Sequence, residues 1–122
     1  MRLADLELSC RDDAVIARVA GEIDMSNANE LREAISDYTP NTSLGVVLDL
    51  TAVDYVDSSG IHMLYRLSES LGRRGLALRI VIPPESAASD ALRLAGITAH
   101  AEAVSGVDEG LVELATSAPP HF

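Results

Sequence analysis

Asp57-Ser58-Ser59-Gly60 puts an acid and two hydroxyls where the apolar run Gly45-Val46-Val47-Leu48-Asp49-Leu50 hands over to the helical pattern Ile61 to Leu71. A serine in that place is presented at a helix N-terminus, whose unpaired backbone N–H groups and partial positive charge suit a phosphate. Spacing alone leaves two readings of Ser58 and Ser59: caps of the helix, for which Ser and Asp are common choices, or the site of a switch. Asp57 has three: a cap (the ordinary one), a group that positions a serine hydroxyl, or part of a recognition surface.

Other chemistry is weaker. Asp57, Ser59 and His62 contain the residue types of a nucleophilic triad, but such triads draw their members from separate elements so that base faces nucleophile and acid backs the base. Consecutive helix-start positions do not provide this, and the Gly-x-Ser-x-Gly elbow is absent. His62 reads as an exposed or half-buried helix residue, and His100 and His121 have no evident partners. Asp49 and Asp54 raise the possibility of an aspartate that accepts phosphate at a strand end. That chemistry wants a lysine, and all nine basic residues here are arginine. Asp49 reads instead as an anchor for the loop before Asp57. Asp24, Asp49, Asp54 and Asp57 could converge on a metal, but scattered acids are usually solvated or capping, and no cofactor is implied.

The elements that must position these residues follow from periodicity. Leu3 to Arg11 alternates, with Leu6, Leu8 and Cys10 on one side, as in a half-exposed strand. Asp12-Asp13 is a turn, and Ala14 to Ala20 a second strand completing a hairpin. Gly21-Glu22-Ile23-Asp24 then leaves the sheet, and Ser26 or Asn27 caps a helix to about Tyr38 with Ala28, Leu31, Ala34 and Ile35 as its stripe. Gly45 to Leu50 is apolar enough for a strand covered on both faces. Gly72 and Gly75 end the next helix, with Arg73-Arg74 as a solvated helix end beside them. Leu76 to Ile82 is a further strand. Ser86 or Ser89 starts a short helix through Leu94, Ile97 to Ala101 is a short edge strand, and Val104 to Ala115 is the last helix. The order is an α/β one: a mixed sheet of four or five strands flanked by about four helices. Residues 1–116 are expected to form one domain and residues 117–122 a flexible tail.

Composition bounds the function. A 122-residue chain that is 48% hydrophobic builds a real core, which with 3% aromatics must be aliphatic. Nineteen acids against nine bases give a net charge of −10. Such a surface avoids nucleic acid and anionic membranes and suits a basic protein partner. Cys10 is the only cysteine, excluding an intrachain disulfide, and its strand position reads as a buried thiol. With no apolar run of spanning length and no signal-like start, the expectation is a cytoplasmic protein without membrane insertion.

Taken together, Gly21-Glu22-Ile23-Asp24, the strand ending Leu48-Asp49-Leu50, and Val56-Asp57-Ser58-Ser59-Gly60-Ile61 resemble the STAS domain. More narrowly they are similar to stand-alone bacterial anti-sigma factor antagonists, over nearly the whole chain. The resemblance implies a STAS-type fold and a partner switch. The unphosphorylated protein binds an anti-sigma factor that is also a GHKL-type serine kinase. Phosphorylation of the second serine, here Ser59, breaks that complex, and a metal-dependent serine phosphatase reverses it. Asp24, Asp57, Ser58, Gly60, Ile61 and His62 then belong to the partner-binding surface, His62 standing where the family often has glycine. A STAS subunit of a membrane transport complex is the alternative within the fold. A small hydrolase or nucleotide-binding protein is the alternative outside it.

Overall fold

A computed structural model describes residues 5–97 and 102–117 of the chain. β1 (Asp5–Arg11) and β2 (Ala14–Ile23) form the expected hairpin, antiparallel, with Asp12 and Asp13 both at positive φ as a two-residue primed turn requires. The chain continues through α1 (Ala28–Tyr38), β3 (Gly45–Val56), α2 (Ser58–Arg73), β4 (Ala77–Val81), α3 (Ala87–Leu94), β5 (Ala103–Val104) and α4 (Val107–Ser117). The strands lie in the order β1-β2-β3-β4-β5, and every pairing after the hairpin is parallel.

Strand alternation divides the core. Val15, Ala17 and Val19 of β2 and Val46, Leu48 and Leu50 of β3 turn to the layer that also holds Leu31 and Ile35 of α1, Leu64, Leu67 and Leu71 of α2 and Leu92 of α3. Ala14, Ile16 and Val47 point the other way and meet Leu111 and Leu114 of α4. Three helices therefore cover one face and α4 the other, which is why β3 begins with six buried residues in a row.

Several expectations need correction. Gly21 to Ile23 do not leave the sheet; they stay paired with β3, which runs on to Val56. Two register shifts make this possible, and Gly21 at φ 102° takes a backbone conformation open to glycine. Cys10 is exposed, because it lies near the end of the edge strand; its thiol sits 3.8 Å from the Tyr38 hydroxyl. Ala34, expected in the apolar stripe of its helix, faces outward. Arg73 is exposed at the helix end as expected and pairs there with Glu69, but Arg74 is a clamp: Nε donates to Asn41 Oδ1 at 2.7 Å, and the guanidinium reaches the Ser36 and Thr39 carbonyls. The last helix starts three residues later than expected, after the two-residue β5. Most of the edge strand expected over Ile97–Ala101 and the tail from Ala118 onward lie outside the described residues.

Candidate functional site

Parallel pairing of β2 with β3 brings the loops after both strands to the same edge of the sheet, where helices begin. Ile23 pairs with Val56, and the Asp57 N–H donates to the Ile23 carbonyl at 3.1 Å, so the Gly21-to-Asp24 segment and the Asp57-to-Gly60 segment lie side by side. Asp57 is the cap of α2. Its Oδ1 accepts from the Ser59 N–H at 2.8 Å and the Gly60 N–H at 3.1 Å, while its carbonyl accepts from the Ile61 N–H. The helix end is thus not an open anion site, since two of its N–H groups already hold the protein's own carboxylate. Ser58 and Ser59 are the first two residues of α2, not its caps. Ser58 is exposed and Ser59 half-buried, and among the described residues neither hydroxyl has a hydrogen-bond partner.

Gly60 is buried. A Cβ there would stand 2.5 Å from Val56 Cγ1 and 3.0 Å from Ile23 Cγ2, so the glycine lets α2 approach the strand ends closely and thereby sets the position of Ser59. Ile61 is half-buried against the core and His62 is exposed. Across the gap, Asp24 Oδ1 accepts from the N–H and hydroxyl of Ser26. These two bonds hold its carboxyl below the usual range, the hydroxyl being the stronger influence. Asn27 pins the same loop from inside: its Oδ1 accepts from the Asp24 N–H and its Nδ2 donates to the Glu22 carbonyl. It precedes α1 without a side-chain bond to the helix, so the cap expected of Ser26 or Asn27 is replaced by a stitch across the loop.

A family model, the STAS domain, matches residues 5–108. The chain belongs to the STAS domain family. It is 34% identical over 58 residues to the anti-sigma-F factor antagonist RsfB of Mycobacterium tuberculosis, a match covering 48% of each protein. To the anti-sigma-B factor antagonist of Listeria monocytogenes it is 36% identical over 70 residues, 57% of this chain and 61% of that one. The matches thus span about half of the first relative's length and 61% of the second's. The crystal structure of an anti-sigma factor antagonist from Mycobacterium paratuberculosis superposes with a TM-score of 0.80 at 25% identity, over 93% of this chain and 95% of that one.

In this STAS domain two hollows flank the serines. One, of about 270 Å³, is lined by Ser59, His62 and Arg66 of α2, Asn29 and Arg32 of α1, and Met25 before it. The other, of about 420 Å³, is lined by Asp57, Ser58, Ile61 and His62 together with Ala91 and Leu94 of α3. His62 borders both. Met25 at 82% exposed and Leu94 at 89% put one large apolar side chain on each side of the motif. Sequence reasoning missed the two arginines. Arg66 had a signal, falling seven residues after Ser59 on one helical face, whereas Arg32 reaches the site only through the packing of α1 on α2. No group of His, Cys, Asp and Glu side chains among the described residues converges to hold a metal. No described helix is long and apolar enough to cross a membrane.

Proposed function

We propose that this STAS domain is an anti-sigma factor antagonist, a binding module and kinase substrate. Unphosphorylated, it binds an anti-sigma factor with GHKL-type serine kinase activity; phosphorylated on Ser59, it lets that partner go, and a serine phosphatase resets it. The observation that carries the reading is the Ser59 hydroxyl, unengaged and half-exposed at the start of α2, on an edge where Met25 and Leu94 offer apolar contact area. The names of RsfB and the Listeria protein support the same role.

In the modification step Ser59 Oγ attacks the γ-phosphorus of ATP. The new O–P bond forms as the bond to the β–γ bridging oxygen breaks, ADP leaves, and the hydroxyl proton passes to a base of the kinase. The phosphatase spends one water and returns the hydroxyl and inorganic phosphate. Phosphate adds about −1.5 to −2 charges at neutral pH. Against an acid ~4 Å away across an interface, one unit charge costs on the order of 4 kcal/mol at an intermediate dielectric. That weakens binding roughly a thousandfold. The helix dipole supplies only about 0.3–1 kcal/mol in return, so the contact breaks while the fold persists.

Affinity capture of the unmodified protein from its native lysate identifies the partner by mass. With that kinase and ATP, one phosphate is expected, lost in Ser59→Ala and retained in Ser58→Ala; Ser59→Asp keeps the native circular dichroism spectrum. Phosphate on Ser58, no phosphate with the captured kinase, or unfolding of Ser59→Asp overturns the assignment.

A further inference from the structure

Nine basic residues face nineteen acids in this chain, yet two arginines and a histidine line the hollow that holds Ser59. Ser59, His62 and Arg66 recur at i, i+3 and i+7 on one face of α2, and helical side chains lean toward the N-terminus, so His62 and Arg66 lean toward the serine. Among the described residues Arg66 has neither an ion pair nor a hydrogen bond. Arg32 enters from α1, donating to Asn29 Oδ1 at 2.8 Å and standing 3.9 Å from Glu33. The N–H groups of Ser59 and Gly60 at the helix start are taken by Asp57. A phosphate on Ser59 would thus find the Asp57 carboxylate at the helix start and two arginines in the hollow that Ser59 lines.

We propose that, once Ser59 is phosphorylated, Arg32 and Arg66 hold the phosphate in an intramolecular cradle with His62 at its rim. This rests on Ser59 being the modified residue in the reading above. Guanidinium forks match phosphate oxygens and remain charged at every working pH. The cradle changes what the modification does. Besides adding negative charge, it withdraws both arginines from the surface offered to the partner, leaving a more uniformly acidic face. The charged and titratable groups around the phosphate are Arg32 and Glu33 on α1, His62 and Arg66 on α2, Asp57 at the cap and Asp24 on the adjoining loop.

Phosphoserine installed at position 59 by codon suppression gives the full-chain phosphoprotein without any kinase, so the result does not depend on which enzyme modifies the site. The probe is the phosphate's second pKa, ordinarily about 6, followed by ³¹P NMR in a His62→Asn background that keeps an imidazole out of the curve. The double variant Arg32→Gln, Arg66→Gln should raise that pKa by about one unit. A charge-matched control, Arg73→Gln with Arg93→Gln, removes two arginines that pair with Glu69 and Asp90 and should move it far less. Equal shifts in the two double variants, or no shift in either, overturn the cradle. Arg66→Gln alone, judged against Arg73→Gln alone, decides the matter if the first double variant fails to fold. A cradle found by titration together with a kinase that ignores Ser59 would sink the functional reading and leave the phosphate site standing. The converse result would sink only the cradle.

Discussion

Gly60 shows how one side chain's absence places another residue's hydroxyl. Replacing it with alanine helps the helix intrinsically by up to about 1 kcal/mol. The new methyl, however, meets Val56 Cγ1 at 2.5 Å and Ile23 Cγ2 at 3.0 Å, with the Ile23 carbonyl 3.2 Å away. Both side chains are β-branched and essentially buried, so neither swings aside freely. Nor can the carbonyl move without loosening its bond from the Asp57 N–H. Overpacking costs about 1–3 kcal/mol and should win. Gly72, in the last turn of the same helix, has nothing within 4 Å of a built Cβ. Gly72→Ala should therefore stabilise by about 0.5–1 kcal/mol, where Gly60→Ala lowers the urea midpoint with little change in slope. Equal effects at the two glycines would show that propensity, not the close approach of α2, decides their use.

Between elements, the join of β2 to β3 carries a polar pair inside a mostly apolar sheet. Asp49 is 4% exposed; its Oδ2 accepts from Arg18 Nε at 3.0 Å, and its Oδ1 accepts from the Thr51 N–H and hydroxyl. Burial pushes its carboxyl up, but Thr51 and Arg18 together outweigh burial and hold it below the ordinary value. A depressed folded pKa contributes stability that is fully present above the unfolded pKa, about 3.9, and is lost as pH falls through the folded one. Asp49→Asn cannot titrate. The stability gap between wild type and this variant, read from urea unfolding, should hold steady from pH 7 to about 5 and close below about 4. A gap that persists unchanged into strong acid would mean that Asp49 acts through shape and not through charge.

The same pair illustrates what was legible beforehand. The apolar run was enough to read the first half of β3 and its two-faced burial, but not the role of Asp49: expected to anchor the loop before Asp57, it lies within β3 and ties that strand to Arg18 of β2 and to Thr51. The hairpin and α1 were equally readable from period, and α2 and the Ser86-capped α3 from period and capping residues. Register was not. The shifts that keep Gly21 to Ile23 paired depend on two extra residues in the partner strand, which no local pattern encodes. Arg32, Arg74 and Asn27 were opaque for a related reason: each acts across the fold or around a loop, on backbone groups or a hollow that exist only after the elements dock. In the site, the Asp57-to-Gly60 segment announced itself by composition, but its division of labour among cap, hydroxyl and spacer required coordinates.

Across the whole molecule, charge sets two opposing responses to salt. The surface pairs Arg11–Asp108, Arg73–Glu69 and Arg93–Asp90 each keep at least half of both side chains exposed. Exposed pairs contribute about 0–1 kcal/mol each, and screening weakens them. Set against them is the excess charge: nine bases neutralise at most nine of the nineteen negative charges, leaving a net charge of −10. On a domain of 12.9 kDa the excess charges repel one another over distances comparable to the Debye length, which shortens from about 30 Å at 0.01 M salt to about 10 Å at 0.1 M. Relief of that repulsion acts on the whole net charge, whereas loss of attraction acts on a few pairs, so repulsion should dominate. The thermal midpoint followed by circular dichroism should rise by a few degrees between about 0.01 and 0.1 M sodium chloride at neutral pH. A falling midpoint would show that the ion pairs matter more than the net charge. The same screening should slow association with a basic partner, since steering by a −10 surface weakens as the field contracts. Salt should thus raise the domain's stability while lowering its on-rate, a divergence that nonspecific salt effects on folding alone do not produce.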